Sequence, residues 1–443
     1  MQHAQLPVAI IGAGPVGLAA AAHLMTRGER PLLLEAGADI GHTVRQWGHV
    51  RMFSPWRYNI DTAARRLLEA TGWQAPNPDA LPTGNALIDA YLAPLATLPC
   101  MAPHLRLGTR VVAVGRKLLD KVKTIGREAH PFVLRVETAD GRAHEYEARA
   151  VIDASGTWEQ PNPMGAGGLP AHGEATCAQW IATGIPDVLG RDRARYANKT
   201  VLVVGSGHSA INVLLDLLAL REAAPATRLL WAMRREHIAA VFGGGQADAL
   251  PARGQLGQRA QKAVEEGWIT TLTPFHIGVV LSTPTGRVIV AGQLGAQEHR
   301  VEVDEIVVAT GFRPDLSMLR EVRLAIDPWL ESVQGLGPLV DPNLHSCGTV
   351  PPHGAKELAH PEQNFFIVGM KSYGRAPTFL LATGYEQVRS VVATLVGDHT
   401  AAARVELQLP HTGICSAPPA ELSPSGYGTP RLTDHVGATA CGG

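Results

Sequence analysis

Continuous apolar runs, rather than alternating ones, mark the strongest elements of this chain. One lies at 6–11 (LPVAII) and another at 201–204 (VLVV). Such runs fit strands buried on both faces. Each stops at glycines and small residues: Gly12-Ala13-Gly14-Pro15-Val16-Gly17 after the first, Gly205-Ser206-Gly207-His208-Ser209-Ala210 after the second. A helix is predicted next, over 18–27 and 211–220, and then a further strand, over 31–34 and 228–233. The same strand–turn–helix–strand design therefore occurs in two distant parts of the chain.

The turns carry chemistry. Gly12 permits the tight bend, Gly14 lets backbone approach a pyrophosphate, and Gly17 lets helix and strand pack closely, with Pro15 between them. The helix that follows offers unpaired N–H groups and a positive dipole end to an anion. Glu35 closes the strand after the first turn. Its carboxylate suits the two ribose hydroxyls of FAD or NAD and would repel a 2′-phosphate. In the second turn Ala210 takes the third glycine's place, and Gly205, Ser206, Gly207, His208 and Ser209 form the cradle. The strand after it leads into Arg234-Arg235 instead of an acid, and a guanidinium binds a 2′-phosphate. The first turn is therefore expected to hold FAD and the second NADPH, so that the nicotinamide hands a hydride to the flavin.

Composition narrows the class. The chain has 443 residues, 45% hydrophobic and 18% charged, with 47 Gly and 32 Pro. That suits a turn-rich α/β protein of two or three domains. A formal net charge of −1 argues against nucleic acid or an anionic membrane as the main partner. No export signal and no membrane-spanning run is recognised. The five cysteines (Cys100, Cys177, Cys347, Cys415 and Cys441) are scattered and odd in number, as in a reduced, cytoplasmic protein. The expected partners are a small-molecule substrate and O2, with a homodimer possible. No metal is expected. His353, Glu357 and His360 in HGAKELAH have helical metal-site spacing, but prolines frame them and a solvated loop is the favoured reading. The stretch 242–254 (FGGGQADALPARG) is a long loop and a candidate lid over NADPH.

From Glu35 the segment EAGADIGHTVRQW, with Gly41 and Trp47, resembles that of flavoproteins with two dinucleotide-binding domains, the flavin monooxygenases included. The resemblance implies that this stretch lies along FAD and that VRMFSPW at 50–56, with Ser54, lies near the isoalloxazine. Trp47, Phe53 and Trp56 read equally well as core aromatics. It adds Val112 to the FAD contacts. VIDASGTWEQPNP (151–163) and IVVATGFRPD (306–315) each resemble the linker motif between the two domains, Ala154 and Gly156 being its FAD contacts. The closing segment at 365–388 resembles the family's last FAD segment, with Gly369 and a helix starting near Thr378 that points at the flavin pyrimidine. Met370 stands where many relatives have Asp. The implied fold is α/β with two Rossmann-like dinucleotide-binding domains. The FAD domain occupies 1–160 and 314–407, the NADPH domain is inserted at 161–313, and 408–443 is a tail.

Disulfide reductases of the superfamily carry a close cysteine pair beside the flavin, which this sequence lacks. The monooxygenase signature ahead of the second turn is degenerate at 168–180 (GLPAHGEATCAQW). With its loop at 242–257 and its cysteine-bearing tail, the chain resembles flavin monooxygenases encoded among arsenic-resistance genes. That implies an FAD- and NADPH-dependent oxidoreductase that activates O2 and passes oxygen to a soft nucleophile, a trivalent arsenical or a sulfur compound. Cys347 and Cys415 are the candidate thiols for such a centre, although a buried structural thiol is the commoner role for Cys347. The alternatives are an NADPH oxidase or electron-transfer reductase without oxygen insertion, and a flavin-based redox sensor.

Overall fold

The computed structural model describes residues 6–243, 248, 250–344, 350–377 and 379–407. Its core is two five-stranded parallel sheets. In the first, Val8–Ile11 is the central strand. Pro31–Leu34 and then Leu105–Arg106 lie on one side of it, Ala150–Asp153 and then Phe365–Ile367 on the other. In the second, Thr200–Val204 is central. Arg228–Ala232 and Ile269–Leu272 lie on one side, Glu305–Val308 and Ile181–Thr183 on the other. The two sheets therefore repeat one plan. Each also has a three-stranded antiparallel meander just before its linker strand. One runs through Thr109–Arg116, Phe132–Thr138 and Ala143–Ala148, the other through Phe275–Ser282, Val288–Leu294 and Gln297–Val303.

The apolar runs form strands because both faces are covered. Val8, Ala9, Ile10, Val201, Leu202 and Val203 are all fully buried. Helix Pro15–Thr26 carries Gly17 and a run of four alanines at 19–22 and is buried from Val16 to Leu24, so it can lie close on the sheet. In both sheets the chain leaves the central strand to one side and returns on the other. That divergence is where open α/β sheets form a crevice at the strands' carboxyl ends.

A buried ion cluster fastens the first meander. The Glu362 carboxylate takes Arg116 at 2.8 Å and Arg127 at 2.7 Å, with all three side chains at 5% exposure or less. Burial alone would raise the Glu362 carboxyl, but Arg127 and Arg116 hold it below its ordinary value. No helix among the described residues is long and apolar enough to cross a membrane.

Candidate functional site

At the first turn the three glycines do three different jobs. Gly12 has φ 96°, and a Cβ there would fall 2.9 Å from the Ala154 carbonyl oxygen. A Cβ on Gly17 would fall 2.0 Å from the Gly12 carbonyl oxygen, so helix and turn touch through backbone. Gly14 meets nothing within 4 Å. It is the N-cap of the helix begun by Pro15, and no side chain caps that end. No side chain takes its first-turn N–H groups, so an anion such as a pyrophosphate suits that end. Glu35 is buried beside them. Its carboxylate accepts the N–H of Ala13 at 2.7 Å and of Gly37 at 2.8 Å, which fixes an anion at the end of the second strand.

Of the other predicted residues, Ala154 and Gly369 lie against this turn and its helix. Ala154 donates its N–H to the Ile11 carbonyl at 2.9 Å, and Gly156 follows at φ 74° with nothing within 4 Å of a Cβ. A Cβ on Gly369 would sit 3.4 Å from Val16, so the closing segment lies against the same helix. Gly41, at φ 64°, begins the short helix His42–Gln46. Ser54 is buried and donates to Asn59 Oδ1 at 2.9 Å. Trp56 belongs to the hydrophobic core, with Trp47 packed on its edge. Val112 is 38% exposed, at a bulge in its meander strand. Thr378 lies outside the described residues, and the helix expected to start near it runs from Leu381 to Leu395.

The structure adds a cluster that the sequence did not announce. Lys371 Nζ donates to Asp153 Oδ2 at 2.7 Å and to Ser155 Oγ at 2.9 Å, with its side chain 1% exposed. Asp153 in turn accepts the N–H and hydroxyl of Ser155. The closing segment is thereby clamped to the linker turn that abuts Gly12. The one sequence signal was an aspartate ending an otherwise apolar strand.

The second turn has the same shape. Gly205 is at φ 129°, and a Cβ there would lie 2.3 Å from the Ala309 carbonyl oxygen, whereas Gly207 meets nothing within 4 Å. Helix His208–Ala223 starts without a side-chain cap, and Ala210 is fully buried. Ser206 and Ser209 are half-buried beside it. Arg234 and Arg235 are exposed just past strand Arg228–Ala232, with Arg234 Nη1 donating to the Ala166 carbonyl at 2.7 Å. Burial, and then Arg253, lower the pKa of His208, so this imidazole is neutral near neutral pH. Its ring lies 5.4 Å from Phe53, which brings the stretch at 50–56 onto the second turn. Part of the expected lid is helical: Pro251–Glu265 is a helix, because Pro251 suits the first helical turn. Arg253 and Asp248 form a buried bidentate pair at 2.7 and 2.8 Å, and the Arg253 guanidinium lies 6.0 Å from the Phe53 ring. Residues 244–247 and 249 lie outside the described residues.

The two linker motifs meet. Asn162 N–H donates to the Gly311 carbonyl and Arg313 N–H to the Gln160 carbonyl, both at 2.9 Å. Their aromatics stack, Trp158 on Phe312, with centroids 4.6 Å apart and planes at 26°. Trp47 lies 6.5 Å from Trp158. Beside this pair opens a cleft of about 570 Å³ lined by Gln46, Trp158, Phe312, Ile185, Arg195 and Tyr196, among others. Its charges are largely matched within the protein: Arg195 with Glu305 at 2.6 Å, Arg191 with Asp192 at 3.0 Å, and Glu159 with Arg110 at 2.9 Å. Among the described residues, Tyr196 Oη and Asn162 Oδ1 are buried without a hydrogen-bond partner.

Elsewhere the structure corrects one reading. The segment 353–360 is a loop, as expected, but its histidines are not solvated: His353 is 4% exposed, and its ring is 5.6 Å from Tyr373. Its Nε2 meets Gln387 at 2.9 Å. Burial lowers the pKa of His353 and pushes that of His360 down to about 4. Among the described residues no group of His, Cys, Asp and Glu is placed to hold a metal. Cys100 is an exposed free thiol and Cys177 a buried one. Cys347, Cys415 and the tail from 408 lie outside the described residues.

The model of the family described as pyridine nucleotide-disulphide oxidoreductase matches residues 6–334. No curated protein matches the sequence. Among solved structures, the bacillithiol disulfide reductase Bdr of Bacillus cereus superposes with a TM-score of 0.64 at 17% identity, covering 88% of this chain and 99% of that one. The FAD-bound cadaverine monooxygenase DfoA of Erwinia amylovora gives 0.62 at 13% identity, covering 92% and 98%. The ornithine hydroxylase PvdA of Pseudomonas aeruginosa gives 0.57 at 14%, covering 88% and 99%. At these identities the likeness is one of fold.

Proposed function

Because the chain belongs to the pyridine nucleotide-disulphide oxidoreductase family, we propose that it is an FAD-dependent oxidoreductase, driven by NADPH, that delivers oxygen to a soft nucleophile. The observation that carries the reading is the pair of open cradles at Gly14 and Gly207, each with an uncapped helix behind it. Their two sheets are tied through one pair of linkers. FAD held at the first turn would supply the redox chemistry, with NADPH as hydride donor and O2 as oxidant, one oxygen atom going to the nucleophile and the other leaving as water. The protein's work is placement. The first-turn amides hold a pyrophosphate, and Glu35 accepts from ribose hydroxyls. Arg234 and Arg235 hold the 2′-phosphate that an acid would repel. In this reading the NADPH module is the insertion at 161–313, and the paired linkers at 160–162 and 311–313 set its approach to the FAD module.

The cleft beside Trp158 and Phe312 is the proposed way in for substrate. Its charged groups are matched, which favours an uncharged molecule over an ion. Trivalent arsenicals and thioethers or thiols meet that condition at neutral pH, and soft centres favour thiolate ligands such as Cys347 and Cys415 could supply. Within this reading a trivalent arsenical ranks ahead of sulfur. The test is NADPH consumption with and without arsenite or methylarsenite, paired with product speciation, in wild type and in the Cys347→Ser and Cys415→Ser variants. A pentavalent product formed in step with NADPH supports the reading. Peroxide in place of product with every substrate would make the protein an NADPH oxidase or reductase. Full activity in both serine variants would remove the thiols from the mechanism.

A further inference from the structure

Residues 117–126 belong to the connection, 117–131, between meander strands Thr109–Arg116 and Phe132–Thr138. Within them three aliphatic side chains stand almost fully in solvent: Leu118 at 89%, Val122 at 83% and Ile125 at 97% exposure. Single exposed aliphatics are ordinary on a protein surface. Three in one short connection are not. Leu118 is also held at φ 61°, the left-handed region that glycine or asparagine enters easily and leucine does not. The fold accepts both the strain and the exposure, although the side chain gains almost no packing from either.

The connection is braced. Arg323 donates to the Lys121 carbonyl at 2.9 Å, the Val122 carbonyl at 3.2 Å and Thr124 Oγ1 at 2.9 Å. Glu321 accepts the Lys121 N–H at 2.8 Å. Arg127, already locked to Glu362, donates to the Asp120 carbonyl at 2.8 Å. The Asp120 carboxylate accepts the N–H groups of Val122 and Lys123, so the tip's own acid is drawn into the turn. Lys117 pairs with Glu147. The ammonium groups of Lys121 and Lys123 have no partner among the described residues, and both residues are exposed.

We propose that this braced tip docks the protein on an anionic lipid surface. Aliphatic tips enter the interface while lysines remain at headgroup level, where each adds attraction that salt weakens. A second copy of the chain is a poorer occupant, because a twofold contact would set Lys121 and Lys123 against themselves. The whole-chain charge of −1 and the expectation that membranes are not partners concern averages; the tip is a local feature. Peripheral docking of this kind requires no crossing helix.

The test uses full-length, FAD-loaded protein and vesicles of phosphatidylcholine with or without phosphatidylserine. Co-sedimentation with the phosphatidylserine vesicles is expected, weakening at high salt. The triple variant Leu118→Ser, Val122→Ser, Ile125→Ser should bind about ten-fold or more weakly. Lys121→Gln with Lys123→Gln should erase the preference for the anionic lipid. Both variants should keep wild-type FAD content and Tm. Absence of vesicle binding in the wild type, or binding indifferent to both variants, overturns the proposal. So does a wild-type dimer in sedimentation velocity that the triple variant dissolves while vesicles are ignored; that outcome would make the tip a protein interface.

Discussion

Single side chains set what this molecule can hold, and they can be tested one at a time. Glu35 keeps one carboxylate oxygen on the Ala13 N–H of the first turn and the other on the Gly37 N–H just after its own strand. Glu35→Arg replaces an acceptor with a cation and removes two charge-assisted bonds, each worth about 1.5–3 kcal/mol. The purified variant should lose its FAD; unchanged occupancy by absorbance would remove the first turn from the account. His360 titrates in a predictable direction. Its Nδ1 accepts the Ala325 N–H at 3.1 Å, and burial takes its pKa from the ordinary 6.5 to about 4. Between those values the unfolded chain binds more protons than the folded one, so stability is present above pH 6.5 and drains away as pH falls toward 4. His208 and His353, also lowered by burial, act with the same sign. His360→Asn keeps an acceptor for Ala325 without the titration, so Tm should fall less steeply across this window. An unaltered slope would contradict the assignment.

At the scale of elements, the strand–turn–helix unit is built twice and read easily. The signal is local: a continuous apolar run, glycines at set offsets and small residues on the helix. Val8–Ile11 and Thr200–Val204 accordingly lie where the pattern put them, with ends shifted by one or two residues. Contacts between distant segments leave no such trace. Lys371 meets Asp153 across 218 residues, and the Trp158–Phe312 stack joins two motifs whose likeness was visible but whose meeting was not. At 353–360 the prolines rightly signalled a loop, and only tertiary packing decided that its histidines are covered. The element's glycines also make opposed predictions. Gly17→Ala puts a methyl 2.0 Å from a carbonyl oxygen and should cost about 1–3 kcal/mol or more in the apoprotein. Gly14→Ala meets open space and should change apoprotein stability by no more than about 1 kcal/mol, yet lose FAD affinity. Gly207→Ala should raise KM for NADPH and leave FAD content alone. Thermal melts with and without added FAD separate these effects, and equal melting of the Gly14 and Gly17 variants would refute the division of roles.

The whole molecule is two parallel sheets of one plan, each with its meander, joined through a pair of hydrogen-bonded linkers beside a largely charge-matched cleft. Such an arrangement makes sense when two nucleotides must meet and a third molecule must reach them. The family model spans residues 6–334, and solved structures at 13–17% identity share the fold over about nine-tenths of the chain. The proposed chemistry depends on what the second cradle selects, a choice the proposal assigns to Arg234 and Arg235. The most direct measurement is therefore anaerobic rapid mixing of the FAD-loaded protein with NADPH or with NADH, following loss of the flavin's visible absorbance. Fast bleaching by NADPH and slow bleaching by NADH are expected. Arg234→Ala with Arg235→Ala should weaken saturation by NADPH at least about ten-fold while barely altering NADH. Equal bleaching by both coenzymes, or none by NADPH, would contradict that expectation.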